Sequence, residues 1–286
     1  MSVILGSGEH RYRVVENWGK LPDGWSFKDV AAVGVDSKDQ VYVFNRGEHP
    51  VIVFDRDGNF LRSWGEGVFQ RAHGLDIDKN DVLYLTDDGD HTVRRCSSAG
   101  KVELTIGIPG KPAPFMSGEP FHRCTHTALS PAGEIYVSDG YGNARVHKFS
   151  PEGKHLFSWG EPGKAPGQFN LPHGVWLDRR GRLLVADREN DRVQIFDQDG
   201  KLLSIWSTEL IGPAFFFVDH EDIVYIPEHN GGMVSILTLD GERLARWGGP
   251  IHRSCHGIWV DSQGDLYVVQ PGEWGRVRRV VKYVRQ

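Results

Sequence analysis

One pattern recurs six times along the chain and limits its fold more than any other feature. It is a five-residue run of β-branched and aromatic residues ending in Asp, Asn, Glu or Gln, found at Val41–Asn45, Leu83–Asp87, Ile135–Asp139, Leu183–Asp187, Val224–Glu228 and Leu266–Gln270. Between successive runs lie pairs such as Asp57-Gly58, Ala99-Gly100, Glu152-Gly153, Asp199-Gly200 and Asp240-Gly241, which are hairpin signals between the third and fourth strands of each copy. Fourth strands end in Trp64-Gly65, Ile106-Gly107, Trp159-Gly160, Trp206-Ser207 and Trp247-Gly248. Each copy therefore predicts a four-stranded antiparallel sheet, and six sheets of this kind predict an all-β, six-bladed propeller. Residues 1–286 are expected to form this one domain. Five outer-strand ends against six inner runs leave one outer strand missing, and Trp18-Gly19 upstream of the first copy supplies it. Tyr12 to Trp18 is thus expected to pair onto the last sheet, built mainly from Ser254 to Arg285, closing the ring and removing a free edge.

A second periodicity lies inside the first. At one matching point of the six copies stand Ala31, His73, Thr125, His173, Ala214 and His256, so histidine occupies every second blade. In a six-bladed ring these three blades are about a third of a turn apart, and imidazoles on their innermost strands converge on the axis. Three neutral imidazoles are the ligand set of an open catalytic zinc site, so His73, His173 and His256 are the candidate metal ligands, for zinc or another divalent transition metal. The competing reading is core histidines satisfied by carbonyls of neighbouring blades. The next position reads Ala32, Gly74, His126, Gly174, Phe215 and Gly257, which adds His126 as a further ligand, an acid–base group or a supporting donor.

Residues just past the second strands are expected at the same mouth: Arg46, Asp88, Tyr141, Arg188 and His229. Arg46 and Arg188 suit a substrate carboxylate, and Tyr141 among cations suits a base. Long Pro- and Gly-rich connections, Gly107 to Phe121 and Gly160 to Phe169, are expected to rim the opening, although loops of this length also occur without function.

The formal charge of −5 carries no basic footprint for phosphate contacts, so nucleic acid is not an expected partner; Arg276 to Arg279 is the densest local basic stretch. No apolar run approaches a membrane span, and Met1 to Lys20 lacks the apolar centre of a signal peptide, which leads to the expectation of a cytoplasmic, membrane-free protein. Cys96, Cys124 and Cys255 show no C-x-x-C pairing and read as reduced thiols.

The run Val137-Ser138-Asp139-Gly140-Tyr141-Gly142-Asn143-Ala144-Arg145, followed by Ser158-Trp159-Gly160-Glu161, Pro166-Gly167-Gln168-Phe169, Leu171-Pro172-His173 and Val185-Ala186-Asp187-Arg188-Glu189-Asn190-Asp191-Arg192, resembles the peptidyl-α-hydroxyglycine α-amidating lyases, a branch of the NHL-repeat six-bladed propellers. The resemblance implies catalytic zinc on His73, His173 and His256, Tyr141 as the proposed base, and active-site arginines at Arg46 and Arg188. It implies cleavage of a carbinolamide to an amide and glyoxylate. Gly257 and His126 stand where the family has aspartates, the first linked to a structural calcium, which argues against calcium here. The reading is thus a metal-dependent lyase for a small or peptide-like substrate bearing a carboxylate. A metal-dependent hydrolase is the alternative, and a non-catalytic protein-binding NHL propeller the rival from another class.

Overall fold

The computed structural model describes residues 3–248, 254–271 and 279–286, so most of the Arg276 to Arg279 stretch lies outside the described residues. Its strands form six antiparallel sheets, and strands follow the chain order within each sheet of the first five blades. Five of the six repeated runs are strands with the expected bounds; the fifth extends by one residue to Ile223–Glu228. Each is the second strand of its blade. The innermost strands are Val30–Val35, Ala72–Ile77, His126–Leu129, Pro172–Leu177, Phe217–Val218 and Ile258–Val260.

The ring closes through the N-terminal segment. His10–Val15 pairs antiparallel with Arg279–Arg285, placing Tyr12 opposite Arg285 and Val15 opposite Lys282. A further strand, Ile4–Ser7, pairs outside it, so the closing sheet has five strands rather than four. The expected Tyr12 to Trp18 strand stops at Val15. Trp18 instead turns inward against Phe54 and Tyr267, where its indole N–H donates to Arg56 O.

The core lies between neighbouring blades. Tyr42, Phe44 and Val53 of the first blade meet Leu75, Leu83 and Leu85 of the second, and Tyr12, Trp247, Val268 and Tyr283 fill the seam at the closure. All five strand residues of the second strands in the first four blades are buried, whereas fourth strands such as Val102–Ile106 are largely exposed. This gradient leaves the innermost strands held rigidly around the axis. Among the described residues no helix is long and apolar enough to cross a membrane, and no disulfide links the three cysteines.

Candidate metal centre and active site

The innermost strands of the histidine blades are irregular where the histidine stands, as is that of the first blade at the matching Ala31. Ala72 pairs with Asp87 and Leu75 with Leu85, so the second blade carries one extra residue at His73-Gly74; Pro172 and Val175 against Asp187 and Val185 repeat this at His173-Gly174. In the last blade His256 N–H donates to Val269 O, and Val269 N–H donates back to Gly257 O just before the regular strand begins. A bulge re-aims a side chain at a sheet edge, and here it turns each imidazole toward the axis.

The glycine after each histidine is a matter of space. A Cβ at Gly74 would stand 2.3 Å from Thr125 O, and one at Gly174 would stand 2.4 Å from Ala214 O. Those are the carbonyls that receive the imidazoles: His73 Nδ1 lies 2.8 Å from Thr125 O, His173 Nδ1 3.1 Å from Ala214 O, and His256 Nδ1 2.6 Å from Ala31 O. A carbonyl only accepts, so each Nδ1 is the protonated nitrogen and each Nε2 presents its lone pair to the axis. Thr125, Ala214 and Ala31 are the three non-histidine members of the six-fold position. Each histidine is thus oriented by the equivalent residue of the next blade.

Donor atoms of His73, His173 and His256 all lie within 4.8 Å of one another, and all three residues are buried. Burial, followed by the guanidinium of Arg46, holds His73 well below the ordinary imidazole value. Burial and Arg188 do the same for His173, and burial together with His73 does so for His256. The three therefore stay neutral, the state in which imidazole ligates. An all-nitrogen donor set with oriented rings fits zinc or a neighbouring divalent transition ion, and does not fit calcium, which takes oxygen ligands.

Tyr141 reaches this cluster from the third blade. Its hydroxyl lies 3.1 Å from His73 Nε2 and 3.5 Å from His173 Nε2. Arg123 stacks over the phenol ring with Cζ 4.5 Å from the centroid, and Arg188 Cζ lies 5.7 Å from it. Arg46 is anchored through Nε to Ala72 O and through Nη1 to Asp29, both at 2.8 Å, and its Nη2 has no hydrogen-bond partner among the described residues. Arg188 is held through Nε to Glu189 at 2.9 Å, and neither of its terminal nitrogens is bonded among them. Two buried guanidinium ends are thus left open beside the imidazoles.

His126 is not brought into the cluster. It stands one position further along its strand, level with Phe215, where its ring packs against that phenylalanine at 4.5 Å and its Nδ1 lies 3.1 Å from Val175 O. Burial lowers it to about 4. Phe215 itself contacts all three ligand-type imidazoles and forms the floor beneath them, which leaves His126 outside the reacting space. Asp88 is buried and bonds Arg123 at 2.6 Å and also Arg71, so it supports the tyrosine's neighbour instead of facing the cluster. Of the two long loops, residues 107–121 lean on the tyrosine segment: Met116 N–H donates to Gly142 O, and Asn143 bonds both Gly118 N and Glu119 O. The 160–169 loop docks on Asn190 and Arg192, next to Arg188.

The NHL repeat model matches residues 169–196, a stretch that contains both His173 and Arg188. NHL repeat-containing protein 3 of Homo sapiens is 36% identical over 212 residues, covering 68% of this chain and 60% of that protein. Peptidyl-alpha-hydroxyglycine alpha-amidating lyase 2 of Drosophila melanogaster is 28% identical over 314 residues, covering 95% of this chain and 75% of the lyase. The chain is a six-bladed propeller that carries an NHL repeat at residues 169–196 and resembles the amidating lyases. It spans about three fifths of the length of its NHL repeat-containing protein 3 relatives. The solved gluconolactonase of Xanthomonas campestris shares the propeller fold, with a TM-score of 0.70 at 14% identity over 98% of this chain and 91% of that one.

Proposed function

We propose that this NHL-repeat propeller is a metal-dependent lyase that splits an α-hydroxyglycine-like carbinolamide into an amide and glyoxylate. The observation that carries this reading is the convergence of three tautomer-fixed imidazoles with the Tyr141 hydroxyl and two open guanidinium ends in one buried mouth. His73, His173 and His256 would hold the ion. A divalent ion bound there supplies Lewis acidity toward the substrate oxygens.

The chain's own groups supply the rest. Arg46 Nη2 and the terminal nitrogens of Arg188 hold the substrate carboxylate, for which a guanidinium is suited. The Tyr141 oxygen, beside the imidazoles, is the group placed to take the proton from the carbinol hydroxyl. The C–O bond becomes the aldehyde of glyoxylate, the C–N bond breaks with its electron pair going to nitrogen, and the nitrogen leaves as the amide on receiving that same proton from Tyr141. Arg123 and Arg188 lie over the phenol ring and hold it beside the imidazoles. The buried floor of Phe215 keeps water from one side of the cluster.

Glyoxylate release from α-hydroxyhippurate tests the reading, with simple esters, lactones and amides assayed beside it. Release faster than spontaneous breakdown supports the lyase. Hydrolysis without glyoxylate moves the assignment to the metal-dependent hydrolase.

A further inference from the structure

The channel has a second mouth, at the far ends of the innermost strands. Three residues beyond the histidine position, about 10 Å along the strand at roughly 3.3 Å per residue, the six blades present Gly34, Asp76, Ala128, Trp176, Phe217 and Trp259. Phe217 packs against both tryptophans, with centroids 5.6 Å from Trp176 and 5.1 Å from Trp259, so one half of this level is aromatic. Small Ala128 lies between the second and fourth blades, and beside it opens a cavity of about 420 Å³ lined by Asp76, Tyr84, Ala128, Leu129, Trp176 and Leu177 among others.

Asp76 is the single charged residue of the six, and it is 93% buried at 7% exposure. Its one hydrogen bond among the described residues comes from the backbone N–H of the next residue, Ile77, to Oδ1 at 2.9 Å. Oδ2 has none. The basic residues on the cavity wall do not serve it: Arg179 pairs with Asp222 at 2.9 Å, and Lys79 is exposed and makes no bond to Asp76. Burial lifts the Asp76 carboxyl to about 7. A buried carboxylate without a cation is costly, and the blades' other solutions at this position, Gly, Ala, Phe and Trp, show that the fold has no need of one here.

We propose that this mouth binds a small organic cation, an alkyl- or arylammonium, with Asp76 as counter-charge and Trp176 as the stacking face. An ammonium head satisfies Oδ2 with a charge-assisted hydrogen bond, and an indole beside a carboxylate is the pairing that recognises such heads. The apolar walls from Ala128, Leu129 and Leu177 take the hydrocarbon part. The site is independent of the chemistry at the histidine end.

Calorimetric titration of the whole chain with phenethylammonium, 2-phenylethanol and phenylpropionate tests this, in the wild type and in Asp76→Asn and Trp176→Leu. Binding of phenethylammonium that weakens by at least roughly tenfold in Asp76→Asn, the loss expected for one charge-assisted hydrogen bond, supports the site, as does weakening in Trp176→Leu. Asp76→Asn removes a buried charge without changing volume, and circular dichroism verifies that it folds. Three results overturn the proposal: no phenethylammonium binding at millimolar concentration, equal affinity in wild type and Asp76→Asn, or 2-phenylethanol binding as tightly as the ammonium.

Discussion

The imidazole of His256 bonds the carbonyl oxygen of Ala31 at 2.6 Å, joining the innermost strands of the last and first blades across 225 positions of sequence. The same contact recurs from His73 to Thr125 and from His173 to Ala214, so the histidine geometry and the seating of neighbouring blades are one structure. The glycine after each histidine makes it possible. Gly174→Ala places a methyl against Ala214 O, displacing the acceptor that fixes His173. Metal affinity is expected to fall by roughly 10–100-fold, the usual effect of losing a ligand's outer partner, with a lower melting temperature. Competition with a chromogenic chelator measures it.

Closure gives the second expectation. Tyr12 is fully buried, stacked on Trp247 at 5.3 Å in the seam that the N-terminal strand completes. Tyr12→Ala is expected to cost on the order of 3–5 kcal/mol, as for large aromatic truncations. Deletion of residues 1–19 uncovers the edge of Arg279–Arg285 and should give insoluble or strongly destabilised protein. An undiminished melting temperature in the deletion variant would remove closure from the account.

For the reaction, Tyr141→Phe should lower kcat by on the order of 10²–10⁴, the usual contribution of a general base, with little change in KM. Arg188→Ala should act mainly on KM, since its open terminal nitrogens are assigned to the substrate carboxylate. Steady-state rates with α-hydroxyhippurate separate the two. Equal rates for Tyr141→Phe and wild type would remove the tyrosine from the mechanism.

Much of this was legible because a repeat shows each position six times. The second strands were readable almost to the residue, since their β-branched runs end in one polar residue per blade, and the histidines because they alternate with Ala and Thr at one position. The bulge was not readable from spacing. It occurs also at Ala31 of the first blade, which alanine follows, and the glycine after each histidine has a separate reason that appears only when the next blade's carbonyl is in place. His126 misled because adjacency in sequence suggested a shared mouth, whereas one step along the strand moved its ring to the level of Phe215. Arg123 was missed because its position, two before the six-fold one, holds Asp29, Arg71, Leu171, Gly212 and Ser254 in the other blades, so no residue type recurs regularly around the ring to mark it, yet it lies over Tyr141. Ile4–Ser7 was missed because it belongs to no repeat.

Protonation sets the acid limit of the metal-free protein. His73, His173 and His256 sit well below 6.5 in the folded state and His126 near 4, whereas the unfolded chain binds those protons near 6.5. Below 6.5 the unfolded state therefore holds more protons, so stability is fully present above 6.5 and is lost as pH falls toward the folded values. Asp76 has the opposite sign, because its folded value of about 7 exceeds the unfolded 3.8 and its cost grows as pH rises between them. Asp76→Asn should therefore stabilise the protein at pH 8, by at most on the order of 4 kcal/mol, and not at pH 3.5. Urea unfolding at the two pH values measures the difference.

The most direct test of the central claim is a metal titration of chelator-stripped protein that follows bound zinc and glyoxylate release together. The account predicts that both rise in proportion and saturate near one ion per chain, and that a folded His73→Ala/His173→Ala variant binds no ion at that site and releases no glyoxylate. Full metal occupancy in the double variant, or an undiminished rate in stripped wild-type protein, would contradict it.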